Sequence, residues 1–200
     1  MSGWATTADL AGPRLQDALA TCGASLQTDR PDIQGQRLVE VVTWLLAVPV
    51  ATALIDDTPL PDLAPDNVQL WIGDEPPEGN GLKLLAPRTA HEAHLDAHLA
   101  PLIAAVNAAT KRPAKALWRA AKDRQDGAIA WVAEISNQRE RAFTLLEDKA
   151  QVRLLDLGTH EMLLHVREGC CLYYRTPANV KCFTCPLLDD EERRRLSGAT

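Results

Sequence analysis

Apolar residues recur at helical spacing along most of this 200-residue chain. Leu15, Ala18, Leu19 and Cys22 share one face and predict a helix over residues 14–22, with Cys22 packed as a small core residue. A longer helix is predicted over residues 33–55, with Leu38, Val41, Val42, Leu45 and Val48 inward and Pro49 set to kink or end it. Thr89-Ala90-His91-Glu92 fits a T-x-x-E capping box. A third helix is therefore expected to start there and to bury Leu95, Leu99, Leu102, Ile103 and Val106. Pro113 suits a helix start, because the first turn needs no amide donor, and Leu117, Trp118 and Ala121 would face inward. Residues 129–146 read as helical too.

Period-two alternation is confined to short stretches. Residues 68–72 suit a strand, 74–81 a turn region with Pro76-Pro77 and Asn80-Gly81, and 82–85 the returning strand of a hairpin. Residues 56–67, rich in Pro and Asp, read as a loop. Met162, Leu164 and Val166 alternate with Leu163, His165 and Arg167, a half-buried strand running straight into Cys170. Residues 189–195 put acids before bases, as a helix dipole prefers, with Gly198 as the stop. The expected fold is α+β and predominantly helical, with a small antiparallel sheet. Residues 1–166 form its body and residues 167–200 a C-terminal segment, within a single compact domain.

Composition adds exclusions. The chain is 46% hydrophobic and 24% charged, with 11 Gly and 13 Pro, which suits a globular chain and not a low-complexity one. A net charge of −6 argues against nonspecific binding to nucleic acid or anionic lipid. The longest apolar stretch, residues 41–55, contains Thr43, Pro49 and Thr52 and falls short of the ~20 residues of a membrane span. The first ten residues lack the basic region and apolar run of a secretory signal. The expected location is the cytoplasm, where clustered cysteines serve metal or redox chemistry before disulfides.

Four of the five cysteines form such a cluster. Cys170, Cys171, Cys182 and Cys185 lie in the pattern C-C-x10-C-x2-C. Four thiolates on a short loop make a soft, anionic site that selects zinc or iron–sulfur clusters. The Cys182/Cys185 spacing lets two sulfurs grip one metal, whereas zinc knuckles use two to four intervening residues in each pair and Cys170 and Cys171 have none. Neighbouring side chains on a strand point to opposite faces, so this pair serves one centre only if the strand ends there in a turn. Pro186 follows the last cysteine as in bacterial ferredoxin motifs.

The run Arg167-Glu168-Gly169-Cys170-Cys171-Leu172-Tyr173-Tyr174-Arg175, followed by Cys182-Phe183-Thr184-Cys185-Pro186-Leu187, resembles the C-terminal signature of the ferric siderophore reductases. Pro61-Asp62-Leu63-Ala64-Pro65-Asp66, His98-Leu99-Ala100-Pro101-Leu102 and Leu117-Trp118 extend the similarity more weakly. The resemblance implies a 2Fe–2S cluster on the four cysteines, carried by a C-terminal iron–sulfur loop. It also implies a cytoplasmic oxidoreductase that reduces siderophore-bound Fe(III) by one electron and releases Fe(II).

Such chemistry needs no nucleophile or general base, only a one-electron centre near the surface and a docking place. Arg167, Arg175 and Lys181 flank the cysteines and are candidates for tuning the centre, since nearby positive charge raises its potential. Lys115, Arg119 and Lys122 share a helix face and are candidates, with Tyr173 and Tyr174, for docking a ferric siderophore or an electron donor. No G-x-G-x-x-G follows a strand, so electrons are expected from an external ferredoxin-like donor. His91, His94 and His98 share a face but lack the H-e-x-x-H spacing, and exposed or hydrogen-bonded imidazoles are the expectation. Two rival readings remain: a 2Fe–2S electron carrier or redox sensor, and a zinc-stabilised siderophore-binding module.

Overall fold

The structure is a computed structural model and describes residues 3–73, 81–146, 151–158 and 160–196. The elements run β1 (Gly3–Ala5), α1 (Thr7–Ala11), α2 (Leu15–Ser25), α3 (Pro31–Asp56), β2 (Leu60–Pro61), β3 (Val68–Ile72), β4 (Leu82–Leu84) and β5 (Thr89–Ala90). Then come α4 (Leu95–Thr110), α5 (Ala114–Ile135), α6 (Arg139–Leu145), β6 (Val152–Asp156), β7 (Glu161–His165), a 3-10 turn (Tyr173–Arg175) and α7 (Asp190–Leu196). The fold is α+β and predominantly helical. Its strands form three small antiparallel ladders, β1-β3-β4, β2-β5 and β6-β7.

α3 is the central element because its sequence is apolar on every side, and α2, α4 and α5 cover it. Leu38, Val42 and Leu46 pack with Leu99, Leu102, Ile103, Val106 and Leu117 in the main core. A fully buried side chain of this kind contributes roughly 1.5–3 kcal/mol, so this layer carries the fold. Further along α3, Ala47 and Ala51 meet Ala128, Ala133 and Ala142. These small residues bring α3 and α5 close together. Among the described residues α3 is the one helix long and apolar enough to cross a membrane, and here it is the core helix.

Several elements depart from the pattern. Pro49 does not end α3, which continues to Asp56 because Val50, Ala51, Ala53 and Ile55 beyond it are still buried. Val41, Leu45 and Val48 are only half-buried, while Val39 and Leu46 are fully enclosed, so the inward face is rotated from the expected one. Thr89-Ala90 does not cap a helix. It pairs with Leu60-Pro61, fastened by Asp62 N–H on the Arg88 carbonyl (2.9 Å) and by the Arg88–Asp62 ion pair (3.0 Å). α4 starts at Leu95, after His94 at φ 49°.

Residues 129–146 are two helices, broken where Asn137 takes a φ of 54°. Trp118 is 37% exposed, not inward. β7 is buried on both faces, Leu163 against the α3–α5 layer and Leu164 in a separate small cluster, with β6 as a partner the pattern did not signal. Residues 74–80 of the turn region and Gly198 lie outside the described residues.

His98 is buried, not a ligand. Thr7 donates its hydroxyl to Nδ1 (2.8 Å) and Nε2–H donates to the Leu63 carbonyl, which ties α1 to α4 and the β2–β3 loop. Burial pushes its pKa down and keeps it neutral.

Candidate metal centre

β7 ends at His165 and hands the chain to the cysteine segment through Arg167. Arg167 N–H donates to the Thr184 carbonyl (3.0 Å), which lays the start of the segment beside its end. Asp123 of α5 accepts the N–H groups of Glu168 and Gly169 at 2.8 and 2.9 Å. Gly169 packs closely here: a Cβ there would stand 3.1 Å from Arg119 Cγ and 3.2 Å from Asp123 Oδ2 and would push those side chains back. Leu172 then takes a left-handed φ of 63°, costly for a branched side chain, and its N–H meets Cys170 Sγ at 3.4 Å. The extended run thus stops in a turn, the condition that adjacent Cys170 and Cys171 need to serve one centre.

The turn brings Cys171 Sγ to 3.4 Å from Cys182 Sγ. Two thiolates on one tetrahedral ion stand roughly 3.7 Å apart when each metal–sulfur bond is ~2.3 Å. Cys170 is half-buried and lines a separate cavity with Lys115 and Arg119, and Cys185 is buried with its N–H on the Cys182 carbonyl (2.9 Å). Arg193 of α7 donates to the Cys185 carbonyl at 2.6 Å. Among the described residues no three His, Cys, Asp or Glu side chains converge as a single-ion cage. The arrangement is one close thiol pair, with Cys185 acting on Cys182 and Cys170 adjacent to Cys171 in the chain. A 2Fe–2S centre takes its four thiolates as two pairs, one per iron, and a close pair fits that demand.

Electrostatics point the same way. Arg167 is 5% exposed, and its charge acts on both Cys171 and Cys182. Among the described residues its Nε makes no hydrogen bond and stands 3.8 Å from Asp123 Oδ2. The hydrogen bond from Cys171, helped by Arg167 and against the cost of burial, pulls the Cys182 thiol down to about 7. Cys171, the donor, is pushed up by that bond and by burial. Cys22 sits apart in the α2 core, where burial raises it to about 11 and leaves it inert.

Arg167 is itself held from the body. Its guanidinium donates to Glu40 of α3, which also takes Arg124 at 2.7 Å and Gln36 at 3.0 Å. Burial opposes ionisation of Glu40, but Arg167 and Arg124 outweigh it and hold the carboxyl at about 2.

The other sequence candidates are dispersed. Arg175 is exposed and lies over the Tyr174 ring at 5.7 Å, and Lys181 reaches Glu192 (3.7 Å) and the Leu187 carbonyl (3.3 Å). Lys115 and Arg119, joined by Arg112, line a cavity of about 310 Å³ with Glu168 and Cys170. Lys122 pairs instead with Asp126 at 3.6 Å. Tyr173 lines a second cavity of about 380 Å³ with Cys171, Cys182, Arg37 and Arg167. Glu40, Asp123 and Arg193 were missed. A signal existed for Glu40, the one charged residue between Leu38 and Ile55.

Comparison with known families bears on this segment. Residues 167–187 match the FhuF 2Fe-2S C-terminal domain. The match supports the ferric siderophore reductase family, and the cofactor of this segment is a 2Fe–2S cluster. The donor chemistry fits it: soft thiols in a pair, beside a buried cation. No curated protein and no solved structure matches the chain.

Proposed function

We propose that this protein is a cytoplasmic ferric-siderophore reductase whose 2Fe–2S cluster is held by Cys170, Cys171, Cys182 and Cys185. The observation that carries the reading is the Cys171–Cys182 pair, set beside buried Arg167 inside the matched segment. A bound cluster supplies one-electron transfer. The chain's own residues do the rest. Arg167, fixed by Glu40, offsets negative charge at Cys171 and Cys182 and so favours the reduced state.

Asp123 holds the turn that presents Cys170, and Arg112, Lys115 and Arg119 surround that thiol with positive charge. An anionic chelate or an acidic donor is attracted to this mouth. Ferric iron held by hard oxygen ligands becomes larger and less charged on gaining an electron, so the siderophore holds it less well. Reducing power comes from a separate ferredoxin-like protein.

The test is anaerobic. Chemically reduced protein is mixed with a ferric siderophore and an Fe(II)-trapping dye. One Fe(II) should appear for each cluster reoxidised, and NAD(P)H alone should not drive the reaction. A reduced protein that ignores hydroxamate, catecholate and carboxylate chelates but exchanges electrons with other proteins is a carrier, and the reading fails.

A further inference from the structure

Beyond Asp123, α5 lines another cavity that the cysteine centre does not use. It encloses about 260 Å³ between α5, β7 and the Phe183-Thr184 turn. Gly127 and Ala130 leave the space: a Cβ at Gly127 would come no closer than 3.8 Å to His165 Nδ1. The walls are aromatic. Trp44 and Trp131 stand with ring centroids 5.5 Å apart at 59°, Phe183 lines the cavity with them, and Trp131 is 45% exposed.

Arg124 and Arg167 also line it; among the described residues the Nε of each is buried without a hydrogen bond, that of Arg167 standing 3.8 Å from Asp123 Oδ2. A buried donor left unsatisfied costs about 1–3 kcal/mol, so this wall favours a ligand that brings oxygen. The acidic groups nearby are already engaged. Asp123 accepts Glu168 and Gly169 N–H, while Glu134 accepts Arg139 and Leu163 N–H. The space holds one ring system, and flat aromatic walls stack on flat rings. Arg124, Arg167 and Thr184 also line the cavity that holds Cys171 and Cys182, so these residues separate the two spaces.

We propose that this cavity binds a single aryl ring with oxygen at its edge, the ring against Trp44, Trp131 and Phe183 and the oxygens on Arg124 and Arg167. Its use rests on the reductase reading, where the ring is the phenolate or catecholate arm of a ferric chelate. A free hydroquinone donor has the same chemistry, and the test separates the two.

Protein with its cluster intact is titrated anaerobically with 4-hydroxybenzoate, salicylate, toluene and acetate, read by ligand-observed NMR and tryptophan fluorescence. The two aryl acids should saturate, at least tenfold more tightly than toluene, which lacks the oxygens, or acetate, which lacks the ring. Trp131→Ala should weaken them about tenfold with the cluster's visible spectrum unchanged. Gly127→Leu should abolish binding, while Gly127→Ala, which has room, should keep it. No saturable aryl binding, or equal binding by toluene, overturns the proposal.

If 4-hydroxybenzoate slows reoxidation of the reduced protein by a ferric catecholate but not by a ferric trihydroxamate, the ring belongs to the substrate. If it slows only reduction by a hydroquinone, the ring belongs to the donor. Aryl binding in a protein whose reduced cluster ignores every ferric chelate leaves the cavity standing and removes the reductase reading.

Discussion

Between α2 and α5 the buried side chains are mainly apolar: Leu38, Val42, Leu99, Leu102 and Leu117 are fully enclosed in one cluster, and polar groups such as Glu40, His98 and Asp123 sit among them. From Arg167 onward the buried set is different in kind. Arg167 is 5% exposed, Thr176 5%, Cys185 2% and Arg193 0%, and the apolar support is Leu172, Leu188 and a small cluster around Leu155, Leu157 and Leu164 that Phe183 joins. Apolar burial is additive and undirected, so no single contact decides whether the body folds. The cysteine segment instead hangs on a few directed attachments to Glu40 and Asp123. Each is strong, and each is lost whole when one partner goes.

Removing the iron sets the two regions furthest apart. A chelator should strip amide-exchange protection from residues 169–188, while the helical circular dichroism stays close to that of the loaded protein. Global unfolding would erase the distinction. Serine at Cys170, Cys171, Cys182 or Cys185 should each lose or deform the cluster's visible spectrum, and Cys22→Ser should leave it unchanged.

Next in size is Glu40→Gln, which leaves buried Arg167 and half-buried Arg124 short of their carboxylate and should cost about 3–5 kcal/mol in denaturant unfolding. The sign of its pH dependence follows. Glu40 titrates at about 2 in the fold against 4.5 when free, so its stabilisation is complete above pH 4.5 and fades as the pH falls toward 2. Wild type should lose stability steeply across that window, and the Gln variant less so.

Arg193→Met removes the donor to the Cys185 carbonyl and should cost about 1.5–3 kcal/mol, felt in the exchange rates of residues 182–188 before those of the helices. Charge reversal at Lys115 or Arg119 should be smallest, within about 0.5 kcal/mol in stability. It should change affinity for donor or chelate, and the salt dependence of that affinity.

The same contrast explains what the sequence revealed. Helices whose apolar faces repeat, such as the one carrying Leu15, Ala18, Leu19 and Cys22, were readable because their burial is periodic. The cysteine cluster was readable because thiols at short spacing have few other uses. Thr89 misled because its capping signal is local, and the pairing of Leu60 with Ala90 across thirty residues outweighs it. Arg193 sits among three consecutive arginines with nothing in the pattern to single it out. Only the fold turns that one inward and leaves Arg194 and Arg195 at the surface. The partners of Arg167 were hidden for the same reason, since Glu40 lies 127 positions away.

That separation has a consequence for how the protein is made. Chains emerge at roughly 5–20 residues per second, so Arg167 follows Glu40 by about 6–25 seconds. α5 ends at Ile135, so Glu40 and Arg124 are both made before the first cysteine of the cluster is translated. The chain therefore delivers the anchors of the segment before its thiols, and truncation between α6 and Cys170 would leave a body with none of the four thiolates to receive iron.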